Sequence, residues 1–233
     1  MLTLSELRVV RGEGTTGRHE VYLPHLELAS GDMLAIVGPS GCGKSTLLEA
    51  LGLLLQPSAL GRYVLGPSAT DLAALLQVEN ESALARIRSR ELGFLLQNGG
   101  LLPFLNVRDN ISLPRRLLGL PASSERVHHA CAILGLEPLL DKRPGALSIG
   151  ERQRTAFVRA MAHEPRLLLA DEPTAALDPQ AGEVLFGLIL SLVQELDMAA
   201  LVVSHDRTLV NQFGLPRLIA TLTSGGSRFE PEP

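Results

Sequence analysis

The chain predicts an α/β fold with a mainly parallel core sheet, an N-terminal antiparallel β patch and an inserted helical subdomain. Three observations carry that reading. Short apolar runs recur, MLAIV (33–37), GFLLQ (93–97), RLLLAD (166–171) and AALVVSH (199–205), each bounded by Gly, Pro or charge. Strands buried on both faces read as continuous apolar runs of this length. Helical stretches lie between them, at 45–55, 151–162 and 180–196, and such alternation implies parallel strands joined by helical crossovers. From 98 to about 164 no strand is evident, and Pro103, Pro114, Pro121, Pro138 and Pro144 punctuate amphipathic helical pieces.

The opening segments LTLSELRVV, HEVYLPHLELAS and GRYVLG alternate or carry turn residues, which suits the antiparallel patch. The tail SGGSRFEPEP is polar and is expected to end in disorder. With 233 residues, 45% hydrophobic and 20% charged, the chain has enough apolar surface for one compact domain. A net charge of −4 without a long basic block argues against nucleic acid as a partner, as does the absence of Trp for base stacking. The longest apolar runs, such as VLFGLILSLV from Val184, fall short of the roughly 20 residues a spanning helix needs. The N-terminus shows no signal-peptide pattern. Cys42 and Cys131 have no metal-type spacing, which fits a reducing cytosol.

GPSGCGKST (38–46) is the stretch with chemistry in it. It reads G-x-x-x-x-G-K-[ST], with Gly38, Gly43, Lys44 and Ser45, and Gly41 adds a further unhindered position. Without Cβ atoms the backbone wraps an anion and aims its N–H groups inward. The helix that follows presents its N-terminus to the same anion. In such a phosphate-binding loop Lys44 reaches the β- and γ-phosphates, Ser45 ligates Mg²⁺, and Thr46 adds a donor. Ser40 sits in the same loop and counts among the nucleotide-binding candidates. Cys42 reads as a small filler.

A second constellation follows. LLLADEP ends an apolar strand in Asp171 and Glu172. An acid at the carboxyl end of a strand beside this loop is placed to hold Mg²⁺, and Asp171 fits. Glu172 points differently and is the candidate for polarising the attacking water. Gln97 at the end of GFLLQ is a candidate for Mg²⁺ and the water. His205 at the end of LVVSH is a candidate for the γ-phosphate, and Asp178 in AALDP completes the set.

Taken in order, these residues resemble the nucleotide-binding subunits of ABC transporters, a P-loop NTPase family. The likeness covers nearly the whole chain: Walker A loop 38–46, Q-loop Gln97, signature motif LSIGERQ (147–153), Walker B strand with Asp171 and Glu172, D-loop Asp178 and switch His205. The resemblance implies a RecA-like ATP-binding core over 1–97 and 165–233, with a helical insert over 98–164. It also implies a head-to-tail homodimer with two ATP molecules between subunits, Ser148 and Gly150 donating to the partner's γ-phosphate.

Two departures stand out. The signature usually has Gly after its Ser, and here stands Ile149. A β-branched residue avoids φ > 0, so either that site is not left-handed or the trans contact is altered, while Gly150 keeps the more crowded place. The aromatic that usually stacks adenine is replaced by Arg11 in VVRGEG. A guanidinium plane also stacks on a base, which predicts loose discrimination between ATP and GTP. Tyr22, the nearby aromatic, reads as strand packing.

The segment GFLLQNGGLLPFLNVRDNISLP resembles the subfamily of macrolide-export, lipoprotein-releasing and cell-division ATPases. Leu101, Leu102, Pro103 and Phe104 are then candidates for receiving a helix of a separate transmembrane permease subunit. The reading is an ATPase at the inner face of the cell membrane that moves this partner. Two alternatives remain at this level: a module that senses ATP with little turnover, and a soluble non-transport ATPase of the same family. Glu172, Gln97 and His205 weigh against the first. The acidic balance and the lack of a coiled-coil insert weigh against the second.

Overall fold

The computed structural model describes residues 2–12, 18–66 and 70–232. Its ten-stranded sheet has the order β5-β4-β1-β2-β10-β9-β3-β8-β7-β6. The strands are β1 (Leu2–Arg11), β2 (His19–Leu28), β3 (Met33–Val37), β4 (Arg62–Leu65), β5 (Thr70–Asp71), β6 (Leu92–Leu95), β7 (Leu167–Asp171), β8 (Ala199–Val203), β9 (Arg217–Thr223) and β10 (Gly226–Pro231). Strands β9, β3, β8, β7 and β6 run parallel to one another. The opposite half is the antiparallel patch of β5, β4, β1 and β2. Strand β10 joins the halves, parallel to β2 and antiparallel to β9.

The apolar runs dictate this arrangement. Every residue of β3 and β8 is buried. Alternate residues of β3 enter opposite cores: Met33, Ala35 and Val37 one, Leu34 and Ile36 the other. The first core is roofed by α4 (Val107–Leu117), α5 (Glu125–Ile133), α6 (Ile149–Met161) and α7 (Pro179–Glu195). The second is closed by α1 (Lys44–Leu51), the antiparallel patch and the short helices α2 (Leu72–Gln77) and α3 (Glu81–Glu91). The helical stretch shares its core with the sheet, since Ile111, Val127 and Phe157 pack in one cluster with Ala35 and Leu168. A last short helix, α8 (Arg207–Gln212), precedes β9.

Several expectations need correction. The tail does not end in disorder: Gly226–Pro231 is a strand with Ser227 and Phe229 buried and Arg228 and Glu230 exposed. Helix α1 stops at Leu51 rather than 55, because Gly52 lies against the Phe94 ring and turns the chain. Helices α2 and α3 were not foreseen, although Asp71 and Asn80 cap their first turns by accepting backbone N–H bonds.

Helix α6 is fixed at both sides. At its start Ser148 Oγ accepts from Glu151 N at 3.2 Å, while Glu151 Oε2 accepts from Ser148 N at 2.6 Å. This is a capping box. Behind it β6 approaches so closely that a Cβ on Gly93 would lie 2.4 Å from Ala160 O.

Two outcomes follow from this packing. Gly93→Ala must push α6 off β6 and lowers the unfolding free energy by about 1–3 kcal/mol, measured by denaturant titration. The Ser148 N–H, and after it the Ser148 side chain, hold the Glu151 carboxyl below its ordinary value of 4.5. A depressed folded pKa contributes stability above the unfolded value that is lost as pH falls through the folded one. Glu151→Gln keeps the acceptor without the charge, so its stability falls less steeply than wild type below pH 4.5 in the same titrations.

Candidate active site

Strand β3 delivers the chain into residues 38–43, and α1 begins at Lys44. The loop lies on a tight floor. A Cβ on Gly43 (φ 92°) would sit 2.4 Å from Val21 Cγ2 of β2. One on Gly38 would sit 2.6 Å from Ala220 Cβ of β9. Both glycines are therefore required by close approach, and Gly43 also by its left-handed backbone. Gly41 (φ 77°) meets nothing and serves only the turn. Ser40 is exposed at the loop's tip, and Cys42 is fully buried beneath it, as expected of a filler.

Lys44 is folded across this loop. Its Nζ donates to Gly38 O at 3.0 Å and to Pro39 O at 2.9 Å, with the side chain nearly buried. An ammonium has three protons, and the third meets only the weak acceptor Cys42 Sγ at 3.9 Å, so it can turn to a phosphate oxygen. Ser45 Oγ donates to Asp171 Oδ2 at 3.1 Å. The first hydroxyl of α1 and the last carboxylate of β7 thus meet, as their places in the two motifs imply. Thr46 follows, half-buried, on the same turn.

Glu172 is the node of the site. It takes φ 49°, a left-handed conformation rare for a side chain of its size. Its N–H still donates to Val203 O at 3.1 Å, so the strain is imposed just where the sheet's ladder ends. The turn sends its carboxylate sideways. Oε1 meets His205 Nε2 at 2.6 Å, and Oε2 accepts from Gln97 Nε2 at 3.2 Å. Three neighbouring strands, β6, β7 and β8, thereby place one side chain each at a single point. Gln97 and His205 do not end their strands as expected. Each lies two residues beyond, because β6 stops at Leu95 and β8 at Val203, and the extra residues give the reach.

The Q-loop segment is tethered by residues that sequence reading passed over. Gln153 Nε2 donates to Gln97 O at 2.7 Å, and Arg159 donates to Gly99 O and Gly100 O at 2.8 and 2.6 Å. Both sit on α6. Their signal was polar side chains on the buried face of an amphipathic helix; Gln153 is 4% exposed.

Other candidates lie apart. Ser148 and Gly150 make no hydrogen bond to residues 38–46 among the described residues. Ile149 is the first residue of α6, so the site after Ser148 is helical and not left-handed. Gly150 is uncrowded within this chain, its nearest neighbour being Leu177 Cδ2 at 3.7 Å from a notional Cβ. Asp178 caps α7, its Oδ1 accepting from Ala181 N at 3.0 Å. Arg11 ends β1 half-exposed and pairs with Glu49 of α1. Residues 13 and 14 of VVRGEG lie outside the described residues. Tyr22 donates to the Glu6 carboxylate and carries the Arg8 guanidinium over its ring at 3.7 Å.

Comparison with known proteins gives the family. The family model described as "ABC transporter" matches residues 24–175. The lipoprotein-releasing system ATP-binding protein LolD of Nitrobacter hamburgensis is 41% identical over 211 residues, covering 88% of each chain. The LolD protein of Legionella pneumophila is 36% identical over 214 residues, covering 91% of each. Among solved structures, the dimeric post-hydrolysis state of the ATP-binding cassette MJ0796 bound to ADP and Pi superposes with a TM-score of 0.78 at 30% identity, covering 99% of this chain and 98% of that one. The family model spans well over half of the chain, and the relatives align along most of it, so the protein belongs to the ABC transporter family as an ATP-binding subunit that hydrolyses ATP.

Proposed function

We propose that two copies of this chain close head to tail around a pair of ATP molecules and drive a separate membrane-spanning subunit of the lipoprotein-releasing kind. The observation that carries the reading is the meeting of Gln97, Glu172 and His205 beside the Lys44 loop. In it the amides of 38–46 and Lys44 bind the β- and γ-phosphates. Glu172 takes a proton from the attacking water, and Gln97 and His205 hold its carboxylate in place. Ser45 and Asp171 fit Mg²⁺, being two hard oxygen donors in contact. Held there, Mg²⁺ would neutralise phosphate charge. Arg11 is the candidate for the base.

The 98–164 insert carries the second half of the site. Ser148 caps the 13-residue helix α6, whose dipole favours an anion at that end. Gly150 has no close contact and lines a cleft, which leaves room for the γ-phosphate of the other copy. Asp178 stands close by at the head of α7, lining the same cleft as Gly150. The solved relative MJ0796 is a dimer, which supports this pairing.

The membrane subunit is assigned to a second surface. A cleft of about 300 Å³ is lined by Phe94, Leu102, Pro114, Leu117 and His163, with Leu117 78% exposed and neighbouring Phe104 68% exposed. Of the expected contact residues, Leu101 is half-buried against the core, Leu102 is half-buried in the wall of the cleft, and Pro103 and Phe104 are exposed. Among the described residues no helix is long and apolar enough to cross a membrane. The spanning part then belongs to the partner, and the chain works at the inner face of the membrane in the cytoplasm.

Glu172→Gln should lower phosphate release at least ~100-fold while ATP still binds. Turnover at the wild-type rate in that variant would remove Glu172 from its role. Phe104→Asp combined with Leu117→Asp should abolish co-purification with the membrane subunit and leave ATP binding by the chain intact; undiminished co-purification would move the partner elsewhere.

A further inference from the structure

Strand β10 supplies one polar group to the interior, the Ser227 hydroxyl, and the residue is 2% exposed. Its Oγ donates to Cys42 O at 2.5 Å. The same oxygen lies 3.3 Å from His19 Nε2, at the first residue of β2. A hydroxyl has one proton. Cys42 O can only accept, so the proton goes there, and Ser227 Oγ accepts from an Nε2–H of His19. The order is therefore His19 to Ser227 to the backbone of the phosphate loop. It reaches the loop from below, between the points where Val21 and Ala220 press on Gly43 and Gly38.

We infer that Ser227 is a positioning residue for nucleotide binding. The reason lies in the peptide unit that joins Cys42 to Gly43. It is planar and trans, so its C=O and N–H point in opposite directions. Pinning the Cys42 carbonyl to the floor turns the Gly43 N–H toward the opposite, concave side of the loop. Gly43 lacks a Cβ and has a wide choice of φ and ψ. Its peptide plane would otherwise rotate and aim the carbonyl, with its partial negative charge, at the phosphates. Ser227 removes that alternative before the anion arrives, and His19 keeps the hydroxyl proton directed at Cys42. The close approach that makes this possible is built in: a Cβ on Gly226 would lie 1.9 Å from Glu20 O, so β10 meets β2 at a distance only glycine permits.

This inference rests on the reading of residues 38–46 as the phosphate loop, and the test separates the two. The full-length chain is titrated with a non-hydrolysable ATP analogue in the presence of magnesium, and its melting temperature is recorded without nucleotide. Ser227→Ala removes the donor and should weaken binding about five- to tenfold, the equivalent of one backbone hydrogen bond. Ser227→Thr keeps the hydroxyl and should restore wild-type affinity. Phe229→Leu, in the same buried strand and with no side-chain hydrogen bond to the loop, should lower the melting temperature and leave affinity within about twofold. If Ser227→Ala binds within about twofold of wild type, or Phe229→Leu weakens binding as much as Ser227→Ala does, the positioning role is wrong. Lys44→Ala is the control for the loop itself: should it leave affinity untouched, the phosphate-loop reading fails, whatever Ser227 does.

Discussion

The phosphate loop has no space beneath it, and the rest of the site depends on that constraint. Val21, Ala220 and Ser227 come from three different strands and touch the loop's underside. The loop cannot sag into the protein, so its polar atoms must face outward or bond to one another. Lys44 takes the second course with the carbonyls of Gly38 and Pro39. Apart from the Cys42 N–H, which donates to Pro39 O, the loop's amides are left for an anion. A flexible glycine segment becomes a shaped receptor because its surroundings are rigid, which is how close-packed interiors transmit constraint.

The parallel half of the sheet contributes something different. Its strands end side by side, so side chains just past those ends converge without any long excursion. Asp171 stays on the ladder and meets Ser45. Glu172, one residue on, is twisted into a left-handed backbone and meets His205 and Gln97. Two adjacent acids thus serve two directions. Helix α6 links this centre to the outer surfaces. Its middle holds the Gln97 segment through Gln153 and Arg159, and its capped start carries Ser148 and Gly150. A displacement of α6 is felt at the Gln97 carbonyl within one hydrogen bond. Communication between the cleft near Phe94 and the Glu172 node has a short physical route, because Arg159 lines that cleft.

Much of this was legible in the chain. The core strands declared themselves because strands covered on both faces are continuous apolar runs. The loop declared itself because few residue types serve its backbone and charge requirements. What escaped was whatever depends on partners distant in sequence. Strand β10 was hidden by composition: Gly226, Ser227, Arg228 and Glu230 look like a solvated tail, and only Ser227 and Phe229 pointing inward reveal the period of two. Gln153 and Arg159 look like the polar face of a helix until the Q-loop carbonyls are placed over them. The exact reach of Gln97 and His205 was missed because strand ends are set by pairing in the ladder, here by Leu95 opposite Ala170 and Asp171 opposite Val203.

The position of β9 and β10 bears on biosynthesis. They are the last elements in chain order, yet they lie between β2 and β3, two of the earliest. Without residues 217–231 no ladder joins the two halves of the sheet, which then meet through packing on α1, and the underside of the glycine loop lacks Ala220 and Ser227. The floor of the glycine loop is therefore complete only once these two late strands have docked between two early ones.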